Sequence, residues 1–404
     1  MEDHLRGGTQ GLLGEKVKKS LAGTALLALC IVLSSCAPAA SYTGVTTATV
    51  PASQTPQPAQ IASQSATPST GPSPAPTQTA EQGIRIPVIV YHHILPVPSN
   101  YIAISPARFE QQLKFLKSEG YTGITARQLS DALSGQTQLP KRPVLLTFDD
   151  GRERQIRYAV PLLRQYGFTA TFFVYPSAIH DRAGTFMSRS DLKRLAEMGF
   201  DVESHTVTHA SMLKSRNETL THYERRLRTE LEQSKQTIER LTGEPVVALA
   251  YPFGYYDSFS ADALAALGYK LGFTVDDGMN VAGTTPPFFW HRITIFRKTS
   301  LRDWETLVDA GSLSVTNQSP APAQAVTSAS EVSCVIPPLG PGERLSVSID
   351  EKPAACHAVA SPGGVTVRVA GIRFSGGFHL ATVRVDGPSG TRIAGWGFTN
   401  FTTR

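Results

Sequence analysis

Cysteine, long apolar runs and clustered charge are all scarce in this chain. Four cysteines in 404 residues are too few for a disulfide-built scaffold, and the spacing of Cys334 and Cys356 matches no usual zinc ribbon. The longest apolar run, Leu21 to Leu33, has 13 residues, whereas a membrane-spanning helix needs about 20, which excludes a multi-spanning membrane protein. The net charge is only +5, and no basic run is interleaved with aromatics, so a nucleic-acid partner is excluded. What remains is ordinary globular composition, 41% hydrophobic and 18% charged, in a chain long enough for more than one unit.

The N-terminus predicts export. Arg6, Lys16, Lys18 and Lys19 precede the apolar run, and small residues follow it. The run ends in Leu33-Ser34-Ser35-Cys36, which resembles a bacterial lipobox. That resemblance implies a signal segment over residues 1–36, lipidation of Cys36 and a membrane-anchored protein at the bacterial cell envelope; simple cleavage near Ala39 is the alternative. Residues 37–83 are nearly all Pro, Ser, Thr, Ala and Gln, a tether with too few apolar groups to fold. A main domain is expected over 84–310, a second linker over 311–331, and a small module over 332–404. With Cys30 removed and Cys36 lipidated, Cys334 and Cys356 are expected to form a disulfide in the oxidising exterior.

Seven short β-branched or aromatic runs alternate with amphipathic helices in the main domain: 86–92, 144–150, 170–175, 200–205, 247–253, 271–276 and 292–296. Punctuation supports the helices between them. Ser105-Pro106 opens one with Phe109, Leu113 and Leu116 on one face and Gly120 as its stop; a longer one places Tyr223, Leu227, Leu231, Ile238 and Leu241 together. The alternation predicts an α/β fold with a parallel sheet, closed as a barrel, whose site lies at the C-terminal ends of the strands.

Two motifs fall on those ends. Thr147-Phe148-Asp149-Asp150-Gly151 places two carboxylates that alternate in direction, one able to bind a metal and the other to take a proton. An Asp-Gly turn reads the same way, and Asp276-Asp277-Gly278 repeats the pattern, so the dipeptide does not decide. His205 and His209, four residues apart at a neighbouring strand end, do: they can converge on one ion if the chain turns helical there. Asp150, His205 and His209 supply the three protein ligands of a catalytic zinc-type site.

These motifs resemble those of the NodB-homology polysaccharide deacetylases, a carbohydrate esterase family, over about residues 86–310. The resemblance implies a distorted (β/α)7 barrel and hydrolysis of N-acetyl groups on amino-sugar polymers, with branches acting on poly-N-acetylglucosamine, peptidoglycan or chitin-like chains. It makes Asp150, His205 and His209 the ligands of one divalent metal, zinc first, with cobalt, nickel or iron as alternatives. Asp149 becomes the general base, and His291 a loosely matched general acid that Asp276 or Asp277 could hold charged. Tyr251-Pro252-Phe253-Gly254-Tyr255 stands for the groove motif, including a backbone donor to the oxyanion. That motif departs from the common form, with Ala250 where an Arg usually steadies the base, which puts the orientation of Asp149 in doubt.

For His291 the competing reading is a structural ring beside Trp290; His92 and His93 read as strand-end packing residues. The last module, with alternating runs at 365–369 and 381–385, predicts a β-sandwich, and its Trp396, Phe398 and Phe401 read as core ahead of a sugar platform. The expected partners are a polysaccharide and, through a lipid anchor, the membrane, with the protein a monomer. An O-acetyl esterase on xylan or a similar glycan, or a weakly active exopolysaccharide-binding or assembly factor, are the competing functions.

Overall fold

The computed structural model describes residues 83–182 and 184–400. The expected signal segment with Cys36, the expected tether up to residue 82, and Phe401 lie outside the described residues. Among the described residues no helix is long and apolar enough to cross a membrane.

All seven expected strands are present and form one parallel path. Its order is Leu271–Phe273, Ala248–Ala250, Asp201–Ser204, Thr171–Val174, Pro143–Phe148, Val88–Tyr91 and Ile293–Thr294. Pro143–Phe148 is buried along its whole length, as suits a strand covered on both faces. An eighth, Thr122–Ile124, pairs with its first half and was not expected, because three residues around a glycine give no periodic signal. The path is tied into a distorted (β/α)7 barrel by a segment that is not a strand: Trp290 pairs parallel with Phe273, and Trp290 N–H donates to Gly272 O at 2.9 Å.

Helices cover the outside. α1, Pro106–Ser118, is capped by the Ser105 hydroxyl and buries Phe109, Leu113 and Leu116. α2, Leu220–Thr242, buries Tyr223, Leu227, Leu231 and Ile238, and also two polar residues on the same face, Glu230 and Ser234. Glu230 reaches the loop between His205 and His209, and Ser234 bonds the Ser204 hydroxyl.

The C-terminal part is a sandwich of two mainly antiparallel sheets, one of six strands and one of four, with Val332, Val347, Val367, Val383, Trp396 and Phe398 in its core. Core packing is therefore the role of Trp396 and Phe398. Residues 311–331 are not a linker: Gly311–Ser312, Thr316–Ser319 and Ala325–Val326 are strands of these sheets. Polar composition misled here because edge strands need few large apolar residues. The expected disulfide is also absent, both thiols being free. Cys334 lies on Glu331–Ile336, Cys356 immediately precedes His357–Ser361, and the strand Gly364–Ala370 pairs with both and stands between them. Two strand spacings, about 9.6 Å, exceed the reach of a disulfide.

Sandwich and barrel belong to one compact unit and join at the barrel's C-terminal rim. Gly278 pairs with Ala394, Gly397 N–H donates to the Tyr256 hydroxyl at 2.8 Å, and Phe378 stacks on Tyr255 at 5.1 Å. Gly395 must be glycine there, since a Cβ would stand 2.6 Å from the Asp277 carbonyl.

Candidate metal centre

Four residues near the strand ends are forced into left-handed backbone conformations without being glycine: Asp150 (φ 74°), Thr206 (φ 64°), His209 (φ 61°) and Phe253 (φ 62°). Each costs on the order of 1–3 kcal/mol and persists only where surroundings impose it. Together they bring the site residues to one point.

Asp150, His205 and His209 converge there, with ligand atoms all within 4.8 Å of one another. Asp150 Oδ1 lies 3.8 Å from His205 Nε2 and 3.4 Å from His209 Nε2. Its other oxygen is occupied by Arg152, at 3.1 and 3.2 Å, which leaves Oδ1 directed at the imidazoles. His205 Nδ1 donates to the Ala250 carbonyl at 2.7 Å, so Nε2 carries the lone pair. Burial depresses the His205 pKa to about 4, so the ring is neutral at ordinary pH. One carboxylate and two imidazoles, with the His205 ring neutral and its tautomer fixed, fit a divalent transition metal.

The histidines do not converge through a helical turn, contrary to expectation. Residues 205–209 form a left-handed loop, held from α2 by Glu230, whose carboxylate accepts Val207 N–H at 2.8 Å, Thr208 N–H at 2.9 Å and the Thr208 hydroxyl at 2.7 Å. Spacing gave the pair; nothing local gave Glu230.

Asp149 points beside the triad and is almost fully buried. Burial alone would raise its pKa, but Arg292, with His205 and His92, outweighs it and holds the carboxyl at about 2. Arg292 Nη1 donates to Asp149 Oδ1 at 2.8 Å, with its Nε bound to the Thr274 carbonyl at 2.7 Å. The arginine missing at Ala250 is thus supplied from a different strand end. Arg292 carries no local signal of this role, because it lies 143 residues from Asp149 and outside both motifs.

His291 does not reach the cleft. Its ring packs under Gly278, where a Cβ would stand 2.7 Å from it, and burial lowers its pKa to about 4 against a bond to the Asp276 backbone. Neither acidic neighbour holds it charged, since the Asp276 carboxylate is hydrogen-bonded by the Tyr256 hydroxyl. His92 takes its place: it lines the cleft, with Nε2 4.0 Å from Asp149 Oδ2. Its carbonyl and that of Asp149 both accept from Gln155, at 2.8 and 2.6 Å, which fixes the two strand ends together.

The cleft is about 590 Å³ and includes Tyr101, Phe253 and Phe296 among its walls. Of the groove motif, Tyr251, Phe253 and Gly254 line it; Pro252 is buried behind, and Tyr255 faces Phe378 instead. The N–H groups of Tyr251, Gly254 and Tyr255 are bonded to Phe273, Tyr251 and Pro252 carbonyls, so the oxyanion donor expected of this motif narrows to Phe253.

Residues 136–272 match the polysaccharide deacetylase family, a range that contains both motifs and the whole triad. The chain carries a polysaccharide deacetylase domain. The domain is 27% identical over 198 residues to the polysaccharide deacetylase-like protein YxkH of Bacillus subtilis, covering 49% of this chain and 67% of that one. It is 25% identical over 183 residues to the poly-beta-1,6-N-acetyl-D-glucosamine N-deacetylase of Staphylococcus aureus strain MRSA252, covering 44% of this chain and 62% of that one, less than two thirds of its length. In structure, the deacetylase domain is similar to the Streptococcus pyogenes deacetylase PplD in complex with acetate (TM-score 0.51, 26% identity, 56% of this chain and 99% of that one). It shares its fold with a de-N-acetylase of Aggregatibacter actinomycetemcomitans (TM-score 0.50, 21% identity, 55% and 99% covered). His92 and Arg292 lie outside the matched range, so their placement rests on this chain's own geometry.

Proposed function

We propose that this protein removes N-acetyl groups from an extracellular N-acetylglucosamine-containing polysaccharide by metal-dependent hydrolysis. One observation carries the reading: a metal-ligating triad and a separately positioned, ionised carboxylate share one cleft with exposed aromatic faces. Zinc suits the donor set best, with cobalt, nickel or iron as alternatives; when bound, the ion would polarise the acetyl carbonyl and acidify the attacking water.

The protein's own groups supply the rest. Asp149, kept anionic and aimed by Arg292, takes the proton of the attacking water. The Phe253 N–H faces the developing oxyanion. His92, beside Asp149, delivers a proton to the leaving amine, the role expected of His291. Tyr101 and Phe253, exposed by 71% and 56%, offer faces on which pyranose rings stack. Export and anchoring through Cys36 belong to the same proposal, because the polymer lies outside the cell.

Acetate release by the full-length protein from poly-N-acetylglucosamine, peptidoglycan, chitin oligomers and acetyl-xylan tests it. The amino-sugar polymers should release acetate, and Cys36→Ser should move the protein from the membrane to the soluble fraction. On the best substrate His92→Gln should lower kcat by about 100-fold or more, while His291→Gln stays within a few-fold. Release from acetyl-xylan alone would make the protein an O-acetyl esterase; release from none would end the enzyme reading in favour of a binding factor.

A further inference from the structure

The barrel does not build the cleft alone. Ser348, Glu351 and Leu380, all from the C-terminal sandwich, line the same cavity as Asp149, His205 and His209. Glu351 arrives there by a constrained route. The strands Arg344–Ile349 and Lys352–Ala354 are joined by Asp350 and Glu351 alone, with φ of 51° and 63°, a turn geometry that usually calls for Asn-Gly. Asp350 holds it in place: its carboxylate accepts Leu380 N–H at 2.9 Å and His379 Nδ1–H at 2.8 Å, and its own N–H donates to Leu380 O at 2.8 Å. The tip residue, Glu351, is therefore presented in a fixed direction.

A second carboxylate, that of Asp277, lines the cleft from the barrel side. Among the described residues neither side chain makes a hydrogen bond or an ion pair. Burial and then the negative charge of Glu351 push the Asp277 pKa up to about 6. Arg384, the base that acts on Asp277, is engaged by Asp386 at 2.9 Å, and Arg292 is bound to Asp149. Two carboxylates facing one cleft, neither directly paired, favour a cation there, because a neutral sugar would cover them without offsetting their charge.

Resting on the deacetylase reading, we infer that the sandwich is a wall of the substrate cleft and that Glu351 is a specificity-determining residue. With Asp277 it favours a glycan bearing a free amino group on a sugar beside the one being deacetylated. Amide hydrolysis leaves acetate and an amine that is protonated at neutral pH, so one turnover creates the group that favours the next on a neighbouring sugar. Removal of acetyl groups then proceeds in runs along the polymer.

The test compares kcat/KM of the metal-loaded full-length protein on fully N-acetylated and on partially de-N-acetylated N-acetylglucosamine oligomers of the same linkage. The wild type should prefer the partially deacetylated series by about 5-fold at low salt, the preference shrinking as salt screens it. Glu351→Gln should bring the ratio near one through KM, and Glu351→Lys should push it below one. Glu351 is exposed, so both variants should keep the wild-type melting temperature and metal content. A wild-type ratio of one, or the same ratio in all three proteins, overturns this inference while leaving the deacetylase reading intact. Absence of acetate from both series contradicts the deacetylase reading itself.

Discussion

Asp149 and Arg292 form the most consequential pair in the molecule, a carboxylate and a guanidinium with side chains 2% and 0% exposed, 2.8 Å apart. Such a pair contributes little net stability, but losing one partner strands a buried charge at about 3–5 kcal/mol. Arg292→Gln should therefore destabilise the fold by about that much, raise the Asp149 pKa and lower turnover. Adding Asp149→Asn should recover most of the stability and none of the activity. Urea denaturation of the two single variants and the double variant measures this; additive losses would mean that the two groups are not coupled.

At the scale of elements, the site depends on α2 as much as on the strands. Glu230 leaves the helix to hold three donors of the loop between His205 and His209, which lies 22 and 23 residues away in sequence. Glu230→Ala should keep the helix, as read by circular dichroism, and weaken metal affinity by about 10- to 100-fold in a chelator competition. Unchanged affinity would show that the loop holds its own shape. The same contrast explains what the sequence disclosed. The seven strands were readable because β-branched runs between good helix punctuation are local signals, and the triad because its spacing coincided with two strand ends. Loop conformation was not readable. Left-handed Thr206 and His209 are imposed by a helix far along the chain, and Arg292 reaches Asp149 across 143 residues. The polar strands over 311–331 were hidden for a related reason, since their pairing partners lie later in the chain.

For the molecule as a whole, barrel and sandwich are joined through protonatable groups. Tyr256 binds both the Asp276 carboxylate and Gly397 N–H, and burial first, then the neighbouring Asp277 charge, lift the Asp276 pKa to about 7. A carboxyl raised in the folded state gives stability that is whole below about pH 4 and is lost as pH rises through about 7. His205 and His291, depressed to about 4, act in the opposite sense, losing stability as pH falls from about 6.5 to about 4. Asp276→Asn, neutral at every pH, should gain on the wild type in melting temperature between about pH 5 and pH 8. A constant difference would place the Asp276 proton elsewhere. In the proposed function, Asp150, His205 and His209 hold a catalytic metal while Asp149 serves the chemistry beside it. Bound metal and acetate release, measured together on the wild type, Asp149→Asn and His205→Ala before and after chelation and metal return, test it most directly. The wild type should hold one ion per chain with activity lost and regained, Asp149→Asn one ion without turnover, and His205→Ala neither. Equal metal loss in both variants, or acetate release that survives chelation, would contradict it.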